Sequence, residues 1–273
     1  VHERIRTYTY LYPADGRPDV YTDPVQAAEQ AAFEVGRGFT AVKFDPAGPY
    51  TAFDGHQPSL EDIDRSVAIT GAIREAVGSR ADLLFGTHGQ FTAAGAIRLA
   101  QRLEPFDPLW FEEPTQPDQP DEMARVARQT SIPVATGERL TTITEFAALA
   151  RHQAAAIWQP NLGRCGGLMA GKKIAAIAEA SGCQIAPHLY SGPILGAANV
   201  QLAATLPNLL IIEGIQDWSG FHAELLTTPI QWEDGYVIPS REPGLGVELN
   251  EAVALANPYP AGGDLHLTMA DTP

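Results

Sequence analysis

Cysteine is scarce in this sequence. The two cysteines, Cys165 and Cys183, form neither a Cys-x-x-Cys pair nor a disulfide framework. A small secreted protein held together by disulfides is therefore excluded. We expect two partly buried free thiols in a reducing compartment.

Long apolar runs are also missing. No uninterrupted apolar run approaches the ~18 residues that a membrane-spanning helix requires, and no secretory signal peptide is recognisable. We therefore expect no membrane partner and a cytoplasmic location.

Basic residues are few. Lys and Arg number 18 against 33 Asp and Glu, which gives a formal net charge of -15. Such a surface repels nucleic-acid phosphates and anionic membranes, so neither is an expected partner. An acidic protein of this kind binds an acidic substrate only through local cations or a metal ion.

What the sequence does contain is an alternation of β-rich runs and helical patterns. The runs are "RIRTYTYLY", "TAVKFD", "DLLFG", "LWFEE", "IPVATG", "AAIWQP", "CQIAP" and "LLIIEG". They are continuously apolar, which indicates strands covered on both faces, and the helices between them require parallel pairing. Eight such units predict an α/β fold of the TIM-type barrel. An open doubly wound sheet is the alternative, but no glycine-rich dinucleotide loop follows the first strand.

Helix starts are marked by capping residues. Asp23 precedes Pro24, Ser59 stands three residues before Asp62, and Thr142 stands three residues before Glu145. The tail "WEDGYVIPSREPGLGVELN" is rich in turn residues and is interpreted as an irregular extension.

Ionisable or amide side chains follow the predicted strands, and in a parallel barrel the strand ends meet at one mouth. They are Lys43, Asp45, His88, Glu112, Glu113, Glu138, Arg139, Asn161, His188 and Glu213. Taken alone, a glutamate there is usually a solvated loop residue and a histidine usually a structural hydrogen-bonding group. Together, the carboxylates predict a hard cation such as Mg²⁺. His88 and His188 are candidates for an acid and a base.

Five motifs carry a resemblance to a known family. "WFEEP", "ATGERL", "QPNLGRCGG", "APHLYSGP" and "EPGLGVE" resemble the enolase superfamily, in its mandelate racemase/muconate lactonizing enzyme branch, and acid-sugar dehydratases of the galactonate type above all. The resemblance covers nearly the whole chain. It implies a modified (β/α)7β barrel over residues 1–225 and a C-terminal extension over 226–273. Family members carry an α+β capping domain before the barrel, and this sequence begins where that domain would end.

The resemblance also implies roles for single residues. A Mg²⁺ ion would bind Glu112 and Glu138, and would stabilise the enediolate formed next to a carboxylate. By position, His188 resembles the base, His88 the acid, and Asn161 the residue that orients the base. Glu213 resembles the group that binds the substrate carboxylate, and Lys43 the first of two basic residues on the second strand.

Three positions depart from the family pattern. Gly86 stands where the dehydratases carry the first metal ligand, an aspartate, so water or His88 would have to fill that coordination site. Asn161 replaces an aspartate and is expected to accept a hydrogen bond from His188 without supplying charge. Asp45 stands where many relatives have lysine, and it would serve as a second base or make the site less cationic.

The leading interpretation is a metal-dependent hydro-lyase of carbohydrate catabolism that converts a sugar acid into a 2-keto-3-deoxy acid. A racemase, epimerase or cycloisomerase acting on a hydroxy or sugar acid is a second interpretation. A third is a non-catalytic binding protein descended from the enzyme, for which Gly86 is the main support. We expect a homo-oligomer, and without a capping domain we expect slow or absent turnover.

Overall fold

Eight parallel strands form a closed barrel in the computed structural model, which describes residues 2–47 and 55–258. The strands are β1 (Ile5–Tyr10), β2 (Ala41–Phe44), β3 (Asp82–Gly86), β4 (Trp110–Glu112), β5 (Val134–Thr136), β6 (Ile157–Trp158), β7 (Gln184–Ile185) and β8 (Ile212–Glu213). Each of β1 to β6 pairs in parallel with the next strand, and β8 pairs in parallel with β1. A bridge between Ile185 and Leu209 joins β7 to the segment that leads into β8. The barrel prediction is confirmed, and the open sheet is excluded.

Helices connect the strands and cover the outside of the barrel. They are α1 (Pro24–Gly36), α2 (Leu60–Val77), α3 (Ala93–Leu103), α4 (Pro120–Ala127), α5 (Ile143–His152), α6 (Leu162–Cys165), α7 (Gly167–Ala180), α8 (Pro193–Ala203), α9 (Phe221–Glu224) and α10 (Glu251–Ala256). The predicted caps are present. The Asp23 carboxylate accepts from the first backbone N–H groups of α1, and Thr142 and Glu145 form a reciprocal capping box at α5. No described helix is long and apolar enough to cross a membrane.

The core has an outer and an inner layer, because successive strand side chains point to opposite faces. Phe44, Phe85 and Phe111 point outward and pack edge to face, with ring centroids 5.8 and 5.5 Å apart. The alternate positions point into the barrel, where Tyr8 and Trp110 pack edge to face at 5.3 Å. This alternation decides which strand-end residues face the interior.

The C-terminal tail is more regular than the sequence analysis predicted. It contains a hairpin of β9 (Gln231–Glu233) and β10 (Tyr236–Ile238), and β10 pairs antiparallel with the start of β1. Asp234 and Gly235 form the turn, both with positive φ. Two-residue turns of this backbone type favour Asp-Gly, so the interpretation of the tail as irregular is wrong here. The part of the predicted extension after residue 258 lies outside the described residues.

Candidate active site

The carboxyl ends of the strands bring most of the predicted residues together in the barrel mouth. Register places Gly86 beside Glu112 on neighbouring strands, and Lys43 beside Leu84, so Lys43, Gly86 and Glu112 share the inner face. The buried charged and polar members of the cluster are Lys43, Glu112, Glu138, Asn161, His188 and Glu213. Charges removed from water to this extent must be paired or hydrogen-bonded, so their partners define what the site can do.

Lys43 is the central cation of this cluster. Its side chain is 2% exposed, and its Nζ donates to Glu112 Oε1 at 2.5 Å and lies 4.0 Å from Glu213 Oε1. Burial alone would lower the pKa of Lys43, but the negative charges of the surrounding glutamates outweigh burial and hold that pKa above its ordinary value. Lys43 is therefore an ammonium ion at neutral pH.

Glu112 uses both of its carboxylate oxygens in hydrogen bonds. Oε1 accepts from Lys43, and Oε2 accepts from Trp110 Nε1 at 3.0 Å and from Gln159 Nε2 at 2.7 Å. The sequence analysis did not identify Trp110 or Gln159. The available signal for Gln159 was a polar residue at the end of an otherwise apolar strand run.

Gly86 leaves room for the lysine stem. A Cβ atom built on Gly86 would lie 3.2 Å from Lys43 Cε and 3.6 Å from the Tyr10 hydroxyl. The ring of Tyr10 in turn lies 5.5 Å from Lys43 Nζ. Tyr10 is thus a further neighbour of the cation, and the sequence analysis did not predict it.

Asn161 and His188 form a hydrogen bond, but its direction is opposite to the predicted one. Asn161 Oδ1 caps α6 by accepting from the backbone N–H of Gly163 at 2.9 Å. The amide nitrogen therefore faces His188 Nδ1, at 2.9 Å, and donates to it. A neutral His188 then carries its proton on Nε2, because Nδ1 is the acceptor. The expectation that Asn161 accepts from the imidazole is wrong.

The Nε2 atom of His188 faces two glutamates. It lies 3.3 Å from Glu138 Oε2 and 3.9 Å from Glu213 Oε2. Glu213 Oε2 also accepts from the backbone N–H of Leu189 at 2.7 Å. Burial would raise the pKa of Glu138, but the positive charges of His188 when it is protonated, of His88 and of Lys43 outweigh burial and lower it. Glu138 is therefore a carboxylate at neutral pH.

His88 is paired with Asp45. Its Nδ1 lies 2.9 Å from Asp45 Oδ2. Burial alone would lower the pKa of His88, but the hydrogen bond and the charge of Asp45, with Glu138, raise it to about 9. His88 is thus an imidazolium at neutral pH, which suits a general acid. Because Asp45 is engaged with His88, its predicted use as a second base is not supported by this geometry.

Glu113 and Arg139 form a supporting pair behind the mouth. Arg139 Nε donates to Glu113 Oε2 at 2.8 Å, and Arg139 Nη2 donates to the backbone carbonyl of His88 at 2.8 Å. Burial, together with the charge of Glu138, raises the pKa of Glu113 to about 7. We assign this pair to holding the loop after β3 in place.

The described residues do not fit the predicted Mg²⁺ ion. No three His, Cys, Asp or Glu side chains within ranges 2–47 and 55–258 form a group that could hold a metal ion. Gly86 offers no side-chain ligand, and both oxygens of Glu112 already accept from Lys43, Trp110 and Gln159. Glu138 Oε2 faces His188 Nε2 at 3.3 Å and would offer a cation a single oxygen. Hard divalent cations require several oxygen ligands.

Comparison with known proteins is consistent with this barrel. The sequence profile described as enolase C-terminal domain-like matches residues 26–253. A D-gluconate dehydratase of Thermoproteus tenax is 33% identical over 93% of this chain and 49% of its own length. A D-galactonate dehydratase of Ralstonia nicotianae is 35% identical over 93% of this chain and 65% of its own length. The chain thus spans about half to two thirds of these curated relatives.

Solved structures of this family superpose on the whole of this chain. A mandelate racemase/muconate lactonizing enzyme from Sulfitobacter sp. superposes with a TM-score of 0.95 at 55% identity, over 100% of this chain and 69% of that protein. A mandelate racemase/muconate lactonizing enzyme-like protein from Roseovarius sp. TM1035 superposes with a TM-score of 0.96 at 56% identity, over 100% and 69%.

Proposed function

Because this chain belongs to the enolase superfamily, in its mandelate racemase/muconate lactonizing enzyme branch, we propose that it abstracts the proton next to the carboxylate of a sugar acid and eliminates the 3-hydroxyl group as water. The product would be a 2-keto-3-deoxy acid, formed when the enol left by elimination takes up a proton at C3 and loses the proton of its 2-hydroxyl group. Relatives named D-gluconate, D-xylonate and D-galactonate dehydratase support the substrate class.

The observation that carries the proposal is the contrast between the two histidines. His88, after β3, is cationic through Asp45 and can donate a proton to a leaving hydroxyl. His188, after β7, accepts from the Asn161 amide at Nδ1, which leaves no proton on that nitrogen. A site with one protonated and one neutral imidazole has an acid and a base available together.

The reaction requires two proton transfers, and each histidine carries out one of them. His188 receives the proton from the carbon next to the carboxylate, and His88 gives a proton to the departing 3-hydroxyl. To receive a proton at Nε2, His188 must first have its own proton on Nδ1, and Asn161 must then present its oxygen to that proton. Because the Asn161 nitrogen faces Nδ1, only a fraction of His188 molecules carry the proton on Nδ1 and have Nε2 free to act as the base.

This limit favours a second candidate function, which is the binding of a sugar acid without turnover. Asn161 donates to His188, so the tautomer with a free Nε2 lone pair is disfavoured. In that case the mouth would bind the acid and neither proton would move.

A panel assay separates the two candidates. The full chain is incubated in D₂O with gluconate, galactonate and xylonate, and NMR follows deuterium at C2 while a colorimetric assay follows 2-keto acids. The proposal predicts both signals for at least one substrate, at the slow rate expected of a barrel without a capping domain. His188→Asn should abolish both, whereas His88→Asn should keep C2 exchange and lose the keto acid. His152→Asn, at an exposed position on α5, is the control. Saturable binding with neither signal would contradict the dehydratase proposal.

A further inference from the structure

We propose that the ammonium group of Lys43 takes the place of a divalent metal ion in this site, so that the barrel mouth receives a substrate carboxylate without a divalent cation. The identity of the ligand, a carboxylate, rests on the proposed function, whereas the exclusion of the metal rests on the contacts of Lys43, Gly86 and Glu112.

The first argument is where the positive charge lies. Lys43 Nζ touches Glu112 Oε1 at 2.5 Å and lies 4.0 Å from Glu213 Oε1, and the lysine side chain is 2% exposed. A buried cation at hydrogen-bond distance from a predicted metal ligand already neutralises it. A divalent ion at the same oxygen would have to approach an ammonium group of the same sign.

The second argument is the space beside Gly86. The residue at this position faces the lysine stem, and even a Cβ atom would come within 3.2 Å of Lys43 Cε. A side chain here would require the end of the lysine stem to give way by at least a few tenths of an ångström. The Lys43 side chain therefore lies in space that a side chain at position 86 would partly occupy.

The third argument is the fixed surroundings of Glu112. Its second oxygen accepts from Trp110 Nε1 and Gln159 Nε2. Trp110 is fully buried and packs edge to face on Tyr8, so the indole cannot swing away at low cost. The two donors therefore hold the Glu112 carboxylate in one orientation, in which Oε1 faces the ammonium group of Lys43.

The formal charges also balance. A divalent ion with three carboxylates has a net charge of -1, and the Lys43 ammonium with the two carboxylates of Glu112 and Glu138 also has a net charge of -1. Glu213, 4.0 Å from Lys43 Nζ, adds the same charge in both cases. The loss of one carboxylate at position 86 thus removes the need for the second positive charge. An ammonium carries three N–H donors, and Glu112 takes one of them, so Lys43 has donors to offer an incoming carboxylate.

Calorimetric titration of the chelator-treated full chain with MgCl₂ and MnCl₂ tests the exclusion of the metal. We expect no saturable binding and no change of the thermal midpoint on adding either salt. Wild-type protein that saturates with Mg²⁺ at micromolar concentration would overturn the proposal.

Two variants test whether Lys43 and Gly86 are the cause. The double variant Lys43→Met/Gly86→Asp should gain saturable Mg²⁺ binding, because it restores a carboxylate and removes the competing ammonium. Gly86→Asp alone should gain little, since the ammonium remains. Lys173→Met, at an exposed lysine of α7, is the control and should behave like wild type. Tight Mg²⁺ binding by Gly86→Asp alone would overturn the proposal, as would a folded double variant that binds none. If circular dichroism shows the double variant unfolded, the wild-type and Gly86→Asp titrations decide.

Turnover gives a separate result. Chelator-treated wild type that forms 2-keto acid from a sugar acid at the same rate with and without added Mg²⁺ supports the proposal. Turnover that appears only with Mg²⁺ overturns the proposal but leaves the dehydratase function standing. Absence of turnover under both conditions counts against the proposed function, and the titrations then still decide the question of the metal.

Discussion

At the scale of single residues, an amide in place of a carboxylate determines where the proton of His188 lies. The side-chain oxygen of Asn161 accepts from the N–H of Gly163, so its amide nitrogen faces the imidazole. An aspartate has two oxygens and could serve both partners. Replacing Asn161 with aspartate therefore tests whether the amide limits the activity of His188 as a base.

Asn161→Asp should raise the rate of C2 proton exchange. One Asp oxygen would keep the cap of α6 and the other would accept from Nδ1–H, which frees the Nε2 lone pair. General base assistance is typically worth ~10²–10⁴-fold, and we expect at least about tenfold of it to be regained. NMR in D₂O with a sugar acid measures the rate. Asn257→Asp, at an exposed position after α10, is the control. An unchanged or slower rate would show that Asn161 does not limit His188.

The pairing of His88 with Asp45 predicts a pH dependence of stability. The pKa of His88 rises from 6.5 to about 9 in the folded protein. A raised pKa stabilises the fold fully below 6.5, and this contribution is lost as the pH rises through 9. The difference in unfolding free energy between wild type and Asp45→Asn should therefore be largest below pH 6.5 and shrink up to pH 9.

Urea unfolding at a series of pH values measures this difference. Asp64→Asn, at an exposed aspartate of α2, is the control, and its effect should show no comparable decline between pH 6.5 and 9. A gap between wild type and Asp45→Asn that grows with pH would contradict the assignment of His88 as an imidazolium.

Sequence alone identified the residues of the mouth better than it identified their roles. Strand ends and motifs pointed to His88, Asn161 and His188, because the barrel brings these positions together whatever their side chains do. The roles of Asp45 and Asn161 depend on which partner lies at hydrogen-bond distance, and spacing along the chain does not contain that distance.

At the scale of secondary-structure elements, continuous apolar runs were enough to predict the eight barrel strands. The hairpin β9–β10 was missed although its turn, Asp234-Gly235, carries a strong short-range signal. Its strands have only three residues each, and their partner on the barrel, the start of β1, lies far away in sequence. Such pairing is visible only in three dimensions.

Gly235→Ala tests the turn of this hairpin. Gly235 has a φ of +78°, and a Cβ there would collide with the carbonyl oxygen of Gly38. Gly182 has a similar φ of +73° with nothing within 4 Å, so Gly182→Ala measures the backbone strain alone, about 1–2 kcal/mol. We expect Gly235→Ala to destabilise the protein more than Gly182→Ala does in urea unfolding. Equal effects would contradict the close approach of this turn to Gly38.

At the scale of the whole molecule, the formal charge of -15 opposes the approach of an anionic substrate. Salt screens this repulsion, with a Debye length of about 10 Å at 0.1 M. Binding of a sugar acid should therefore tighten as NaCl is raised from a few millimolar towards 0.1 M. Calorimetry with the acid and with its neutral lactone gives the comparison, and the lactone should show little change. Weaker binding of the acid at higher salt would contradict the account.

The most direct test of the account is C2 deuterium exchange on a sugar acid by the chelator-treated full chain in D₂O. The account predicts deuterium at C2 without any divalent metal, at a rate that added Mg²⁺ does not raise and that His188→Asn abolishes. Exchange that appears only after Mg²⁺ is added, or that persists in His188→Asn, would contradict it.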